Sequence, residues 1–176
     1  MAMQMQLWRC FDRRTDPKTM SAITSINGGK LVGVKTSIFT IFNSEKYDAK
    51  AIPAAWGEFF SKAKKTELAK SEFFYGASIP SMSFDEPMDY FAGAIVPMNA
   101  EVPIGFESVD IPAGNYFQVI HEGPITSLAD TYQRTYMEAL PASGAQMRPA
   151  PHLEIYNPTK DPMAADYEMV IAVPII

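Results

Sequence analysis

The second half of this 176-residue chain repeats the first, which restricts the fold to two similar modules. The segment Ile26–Val34 resembles Ile111–Val119, because each has an isoleucine, a turn that contains glycine and an apolar run. Farther along, Asp89–Pro97 resembles Asp166–Pro174. The first pair is offset by 85 residues and the second by 77, so the first copy holds about eight extra residues. Two copies of one motif usually pack face to face, and the seam between them is a natural place for a ligand cleft.

Each copy is predicted to run strand, strand, helix, strand, strand, with its first two strands paired as a hairpin. In copy one, residues 21–98, the predicted strands are Ser21–Ile26, Lys30–Thr40, Phe73–Ile79 and Met88–Met98, with a helix that begins near Pro53. In copy two, residues 106–176, they are Phe106–Ile111, Asn115–His121, His152–Asn157 and Tyr167–Ile175, with a helix over Pro124–Leu140. Strand runs with a helix on one face predict an α+β fold of antiparallel sheets that enclose a central cleft. Residues 1–20 are predicted to be a flexible arm, and residues 21–176 a single domain.

Composition and charge exclude several classes of protein. No apolar stretch approaches the roughly 20 residues that span a bilayer, and no secretory signal begins the sequence, so we expect a cytoplasmic protein without membrane contact. Residues 100–176 hold 3 basic and 10 acidic side chains, and this negative half repels nucleic acid. The sequence lacks metal-ligand spacing, a phosphate-binding loop and a nucleophile elbow. It therefore predicts no metal, no cofactor and no catalytic residue.

One strand carries the strongest candidate for a binding residue. In the segment His152–Tyr156, alternation places His152, Glu154 and Tyr156 on one face and two apolar residues on the other. If the polar face meets solvent, Glu154 is an ordinary surface residue. If it meets the seam between the copies, Glu154 is a carboxylate among aromatic rings, and a cation or hydrogen-bond donors would offset its desolvation. The strand alone leaves both alternatives open.

Aromatic residues from both copies are candidates for the walls of that site. A cation over such a ring gains about 0.5–2 kcal/mol, whereas ordinary core packing is the alternative for each ring taken singly. The candidate ligand-binding residues are Glu154 and His152 with Trp56, Phe60, Tyr75, Tyr90, Tyr132, Tyr156 and Tyr167.

Several motifs of the second half resemble the GyrI-like effector-binding family. The segments that carry the resemblance are Asp110–Tyr116, Val119–Pro124, His152–Pro158 and Tyr167–Ile175. The family includes gyrase inhibitors, the ligand-sensing domains of AraC- and MerR-type multidrug regulators, and stand-alone proteins encoded by integron cassettes, which this chain is similar to. The resemblance implies two modules related by a pseudo-twofold axis, and a central acidic residue that matches Glu154. It also implies a ligand that is bulky and is often cationic and aromatic.

Three functions follow as hypotheses. The first is a stand-alone, non-enzymatic protein that binds hydrophobic, cationic aromatic compounds between the repeats. The second is a small hydrolase of reactive electrophilic toxins, in which Glu154 would serve the chemistry. The third is a gyrase-inhibitor-like interaction module, whose protein partner would be a transcription regulator or a topoisomerase. Direct DNA binding is not expected, because family regulators place a separate DNA-binding domain before this module and an arm of about 20 residues cannot replace one.

Overall fold

Eight strands form one antiparallel sheet in the computed structural model, which describes residues 21–83 and 85–176. The strands are β1 (Ser21–Ile26), β2 (Gly29–Ile38), β3 (Phe74–Ile79), β4 (Met88–Val96), β5 (Glu107–Ile111), β6 (Gly114–Glu122), β7 (His152–Tyr156) and β8 (Glu168–Pro174). The predicted α+β class is confirmed, with a single continuous sheet in place of separate ones. The predicted arm, residues 1–20, lies outside the described residues.

Each copy adds helical structure to one face of the sheet. Helix α1 (Ala51–Ala63) packs on β2 and β4 and buries Ala55, Phe59 and Ala63, which recur every fourth residue. In copy two, residues 125–143 form what we call the second helical segment. It comprises a 3-10 turn (Ile125–Ser127), α2 (Leu128–Arg134), a π-helical turn (Thr135–Ala139) and α3 (Leu140–Ser143). None of the described helices is both long and apolar enough to cross a membrane.

The strand order confirms the pseudo-twofold relation between the copies. The strand order is β1-β6-β8-β7-β3-β4-β2-β5. If each strand is replaced by its counterpart in the other copy (β1 by β5, β2 by β6, β3 by β7, β4 by β8) and the list is read backwards, the same order results. The predicted hairpins, however, are wrong: β1 pairs with β6, and β5 pairs with β2. Each copy gives its first strand to the other copy, and residues 27–28 and 112–113 turn a corner between strands that do not pair. A tight glycine-bearing turn serves a corner as well as a hairpin, so the sequence did not distinguish them.

The short corners force the sheet to curl. Residues 112–113 join β5, at one edge, to β6, which is next to the opposite edge. In a flat sheet these strands would lie about 29 Å apart at about 4.8 Å per strand, whereas the connection from Ile111 to Gly114 reaches at most about 11 Å. Leu31 and Ile111 from one edge therefore share a hydrophobic cluster with Tyr116 and Ile120 from the other. This cluster fills the inside of the curl, and the helices cover the outside.

The strand register identifies which residues of the two copies are counterparts. Gly33 lies opposite Gly93, and Gln118, 85 residues after Gly33, lies opposite Ala172. Gly93 and Ala172 are therefore counterparts, 79 residues apart, which corrects the predicted offset of 77 for these strands. The two copies thus differ by six residues rather than eight between the matched segments.

The same register locates the pseudo-twofold axis. Gly93 pairs with Tyr75, and its counterpart Ala172 pairs with Leu153. Tyr75 and Leu153 are therefore counterparts, and so are the residues that follow them, Gly76 and Glu154. These two residues also lie directly opposite each other in the central strand pair, β3 and β7. The axis consequently passes between a glycine and a glutamate.

Candidate functional site

Glu154 lies at the middle of the sheet, on the face that carries the helices. Its neighbours Leu153 and Ile155 belong to the cluster inside the curl, so strand alternation turns Glu154 to the opposite face. There it is 5% exposed. Of the two environments that the sequence left open for this carboxylate, the buried one is observed.

Three tyrosine hydroxyls donate hydrogen bonds to the Glu154 carboxylate. Oε2 accepts from Tyr90 at 2.8 Å and from Tyr156 at 2.6 Å. Oε1 accepts from Tyr132 at 2.6 Å. Hydrogen bonds to a charged group are worth about 1.5–3 kcal/mol each, so the three donors together offset much of the cost of burying the charge.

The three tyrosines come from different parts of the fold. Tyr90 comes from β4 of the first copy, Tyr156 from β7 and Tyr132 from α2. The indole Nε1 of Trp56, on α1, donates to the Tyr90 hydroxyl at 3.2 Å and completes the chain of hydrogen bonds. Both copies and both helical regions therefore meet at one carboxylate.

No cation balances this carboxylate within the described residues. The ion pairs of residues 21–83 and 85–176 all involve other acidic groups. His152, two residues away on the same face, stays neutral at pH 7 because burial lowers its pKa to about 4. Burial, and then the negative charge of Glu154, raise the pKa values of Tyr90 and Tyr132 well above 10. These phenols remain protonated donors, and the site retains an unbalanced negative charge.

A stack of three rings lies beside the carboxylate. The ring of Tyr136 is parallel to that of Tyr132, with centroids 6.1 Å apart and an interplanar angle of 3°. On its other side Tyr136 stacks on His152 at 5.8 Å, and its hydroxyl is hydrogen-bonded to His152 Nδ1.

The π-helical turn that carries Tyr136 has two causes in the sequence. The Thr135 hydroxyl donates to the Thr131 carbonyl at 2.7 Å, which competes with the regular helical hydrogen bond. Pro141 has no N–H to donate to the carbonyl of Met137, four residues before it. Such turns occur frequently at functional sites, and this one lies next to Glu154.

Aromatic side chains of α1 line the other side. Trp56 packs edge-on against Tyr156, with ring centroids 5.0 Å apart, and stacks on Phe60 at 5.6 Å. Phe60 in turn contacts Phe74 of β3 at 4.9 Å. Phe60 is 43% exposed, so a continuous set of rings extends from the surface to the tyrosines around Glu154.

One candidate residue lies elsewhere. Tyr75 is on the opposite face of β3 and belongs to the cluster inside the curl, because strand alternation separates it from Gly76. Tyr167 is buried next to His121, with ring centroids 6.5 Å apart, and burial followed by the negative charge of Glu154 raises its pKa to about 12. His121 itself is hydrogen-bonded to Thr131 and to the Pro124 carbonyl, as expected of a structural residue at a turn.

The site includes residues that the sequence analysis missed. Tyr136 follows Tyr132 by four residues on the apolar face of the predicted helix, and this spacing was the available signal. Tyr47 lies in the loop before α1, where burial and the negative charge of Glu154 raise its pKa. Nothing in the sequence pattern indicated this loop residue. In the described part of the chain, no group of three His, Cys, Asp or Glu side chains is arranged to hold a metal ion.

Comparisons with known proteins agree with this fold. The family model of Cass2, an integron-associated effector binding protein, matches residues 23–174. No curated protein matches the chain significantly. Among solved structures, SAV2435 bound to tetraphenylphosphonium is 15% identical, with a TM-score of 0.67, over 89% of this chain and 93% of that one.

Two other solved structures are also similar. An integron cassette protein from the mobile metagenome of Vibrio cholerae is 14% identical with a TM-score of 0.58, over 89% of this chain and 95% of its own. A hydrolase encoded by lin2189 of Listeria innocua is 12% identical with a TM-score of 0.53, over 98% of this chain and 97% of its own. At these identities the likeness extends to the fold alone.

Proposed function

This chain belongs to the Cass2 family of integron-associated effector-binding proteins, and from that premise we propose that it binds hydrophobic organic cations against Glu154. The ligand would lie on the outer face of the sheet, between α1 and the second helical segment. Its positive charge would be balanced by the carboxylate, and its apolar groups would contact the surrounding rings.

The buried, unbalanced charge of Glu154 is the observation that carries this proposal. A carboxylate that is 5% exposed loses most of its hydration. Three phenols stabilise it without neutralising it, and within the described residues no basic side chain pairs with it. A cationic ligand would supply the missing opposite charge in a region where water screens the attraction poorly.

The rings around the carboxylate suit a ligand that is both cationic and aromatic. Trp56 and Phe60 border the site on the α1 side, and Tyr132 and Tyr136 border it on the other. Electron-rich ring faces attract cations by about 0.5–2 kcal/mol each. These residues, with Tyr90, Tyr156 and His152, form the proposed binding site.

The hydrogen bonding of Glu154 favours cations that need few acceptors. Both carboxylate oxygens already accept from tyrosines, so a cation without N–H groups would bind without displacing a donor. Tetraphenylphosphonium is such an ion, and SAV2435, a protein of similar fold, was crystallised with it.

Hydrolysis of an electrophilic compound is the second candidate function. It is favoured by the likeness in fold to the Listeria innocua hydrolase. Glu154 would then act on a bound electrophile, and a product would accumulate with time. Family membership supports effector binding instead. A protein partner, such as a transcription regulator or a topoisomerase, stays a prediction from the family resemblance.

Calorimetric titration with tetraphenylphosphonium and its neutral analogue triphenylphosphine oxide tests the proposal. We expect the wild-type protein to prefer the cation, and Glu154→Gln to weaken cation binding at least about tenfold, or 1.4 kcal/mol, without changing the neutral ligand's affinity. Glu138→Gln removes the same charge from an exposed position and is the matched control. Equal affinities of wild type and Glu154→Gln for the cation would contradict the proposal.

A further inference from the structure

We propose that Gly76 is a positioning residue for cation binding, because its missing side chain leaves the space in which the Glu154 carboxylate meets its tyrosine donors. The inference rests on the proposed function and adds a residue from the facing strand to the site.

The space above Gly76 is already filled by the site. A Cβ atom at this position would lie 2.3 Å from the Tyr90 hydroxyl oxygen and 2.6 Å from Glu154 Oε2. Both distances are well below normal contact, and the two atoms are the partners of the 2.8 Å hydrogen bond between Tyr90 and Glu154. Even a methyl group would therefore separate this donor from its acceptor.

The pseudo-twofold arrangement explains why the empty position lies on β3. Gly76 and Glu154 are counterparts that face each other across the axis, and directly opposed side chains have Cβ atoms only about 5 Å apart. Two glutamates would place like charges side by side, which disfavours ionisation of both. A single ionised carboxylate at the axis thus requires a small, neutral residue on the other strand.

One of the three donors has diverged in the same one-sided way. The counterpart of Tyr90, at the offset of 79 found for β4 and β8, is Met169, which has no hydroxyl. Copy one therefore supplies the space and one donor, whereas copy two supplies the charge and the other two donors. Gly76 and Tyr90 together make the first copy complementary to the carboxylate of the second.

Calorimetric titration of Gly76→Ala with tetraphenylphosphonium and triphenylphosphine oxide tests this role. We expect cation affinity to fall at least about tenfold, with a much smaller change for the neutral ligand, so that the preference for the cation is lost. Gly29→Ala is the matched control: a Cβ there would lie 2.7 Å from Ile95 Cγ2, in crowded surroundings away from Glu154. The control should lower the melting temperature and leave the cation affinity of the folded protein unchanged.

A double-mutant cycle with Tyr90→Phe separates positioning from a general effect on folding, and it provides a second variant if Gly76→Ala alone does not fold. Removing the Tyr90 hydroxyl relieves the closest contact and gives Glu154 Oε2 room to move. We therefore expect Gly76→Ala to reduce cation affinity by less than about threefold in the Tyr90→Phe background. A merely structural effect would give the same fold-change in both backgrounds.

The outcomes separate this inference from the proposed function. If wild type binds the cation and Glu154→Gln does not, but Gly76→Ala binds as wild type does, the role of Gly76 is overturned and the function stands. If Gly76→Ala and Gly29→Ala reduce affinity equally, the role of Gly76 is also overturned. Absence of cation binding by wild type would overturn both.

Discussion

The two copies follow one strand path but differ in the chemistry that they bring to the axis. At and beside the axis, copy one presents Gly76 and Phe74 where copy two presents Glu154 and His152. Away from the axis, Gly33 of copy one corresponds to Gln118 of copy two. The common path accounts for the curled sheet, whose short corners require both copies. The differences account for the single carboxylate, because it needs an empty position opposite it. Repetition thus builds the scaffold, and divergence between the copies builds the site.

The helical regions differ in a similar way. Helix α1 is uninterrupted over 13 residues, and its Trp56 is joined to Glu154 by hydrogen bonds through the Tyr90 hydroxyl. The second helical segment is broken by a π-helical turn, and its Tyr132 bonds the carboxylate directly. The regular helix supports the site, and the irregular one supplies a donor and the stacked ring of Tyr136.

The largest expected difference between the copies concerns Gly33 and Gln118. A Cβ on Gly33 would lie 2.1 Å from the Ala92 carbonyl oxygen, a backbone atom that cannot move aside. We expect Gly33→Ala to lower the free energy of unfolding by about 3 kcal/mol or more. Gln118→Ala should change it by less than about 1 kcal/mol, because the buried amide has no hydrogen-bond partner among the described residues and its loss offsets the cavity. Urea unfolding measures both, and equal losses would contradict the assigned register.

The next largest effect is a pH dependence of the free energy of unfolding, which arises from His152 in copy two. Burial lowers the pKa of His152 from 6.5 to about 4, so between these values the unfolded chain binds more protons than the folded one. Stability should therefore fall as the pH decreases through this window, by roughly 3 kcal/mol between pH 7 and 4. His152→Phe installs the residue of its counterpart, Phe74, and should flatten this part of the profile. Urea unfolding at several pH values checks it, and parallel profiles for the two proteins would count against a buried neutral histidine.

The smallest expected effect compares one tyrosine from each copy. Tyr90 is fully buried and also accepts the Trp56 hydrogen bond, so Tyr90→Phe leaves the Trp56 N–H without its acceptor and removes one of the two donors to Glu154 Oε2. We expect it to cost about 2–3 kcal/mol of unfolding free energy. Tyr132→Phe removes the hydrogen bond to Glu154 Oε1. Tyr132 is partly exposed, so water can replace its hydroxyl, and the loss should be about 1 kcal/mol. Chemical denaturation of both variants would reveal a reversed order if Tyr132 were the main support of Glu154.

The sequence predicted the elements of the fold better than their pairing. Alternating apolar residues and helical spacing predicted the eight strands and the helices, because these patterns reflect local geometry. Strand exchange was missed, since residues 27–29 and 112–114 have the same glycine-bearing pattern whether they close a hairpin or turn a corner. Only the contacts between distant strands, such as Ser21 with Val119, distinguish the two.

The arrangement of the candidate site could be predicted in part. Glu154 and Tyr156 followed from strand alternation and the family resemblance, and their neighbours Trp56, Tyr90 and Tyr132 are joined to them by hydrogen bonds in the structure. The contribution of Gly76 could not be predicted, because a glycine in a strand carries no chemical signal until the residue opposite it is known. The structure supplies that register and so identifies the empty position.

A crystal structure of the protein with tetraphenylphosphonium would test the central claim most directly. The account predicts that the phosphorus atom lies within about 6 Å of the Glu154 carboxylate, with phenyl groups against the rings of Trp56 and Tyr132. A cation bound away from Glu154 would contradict it.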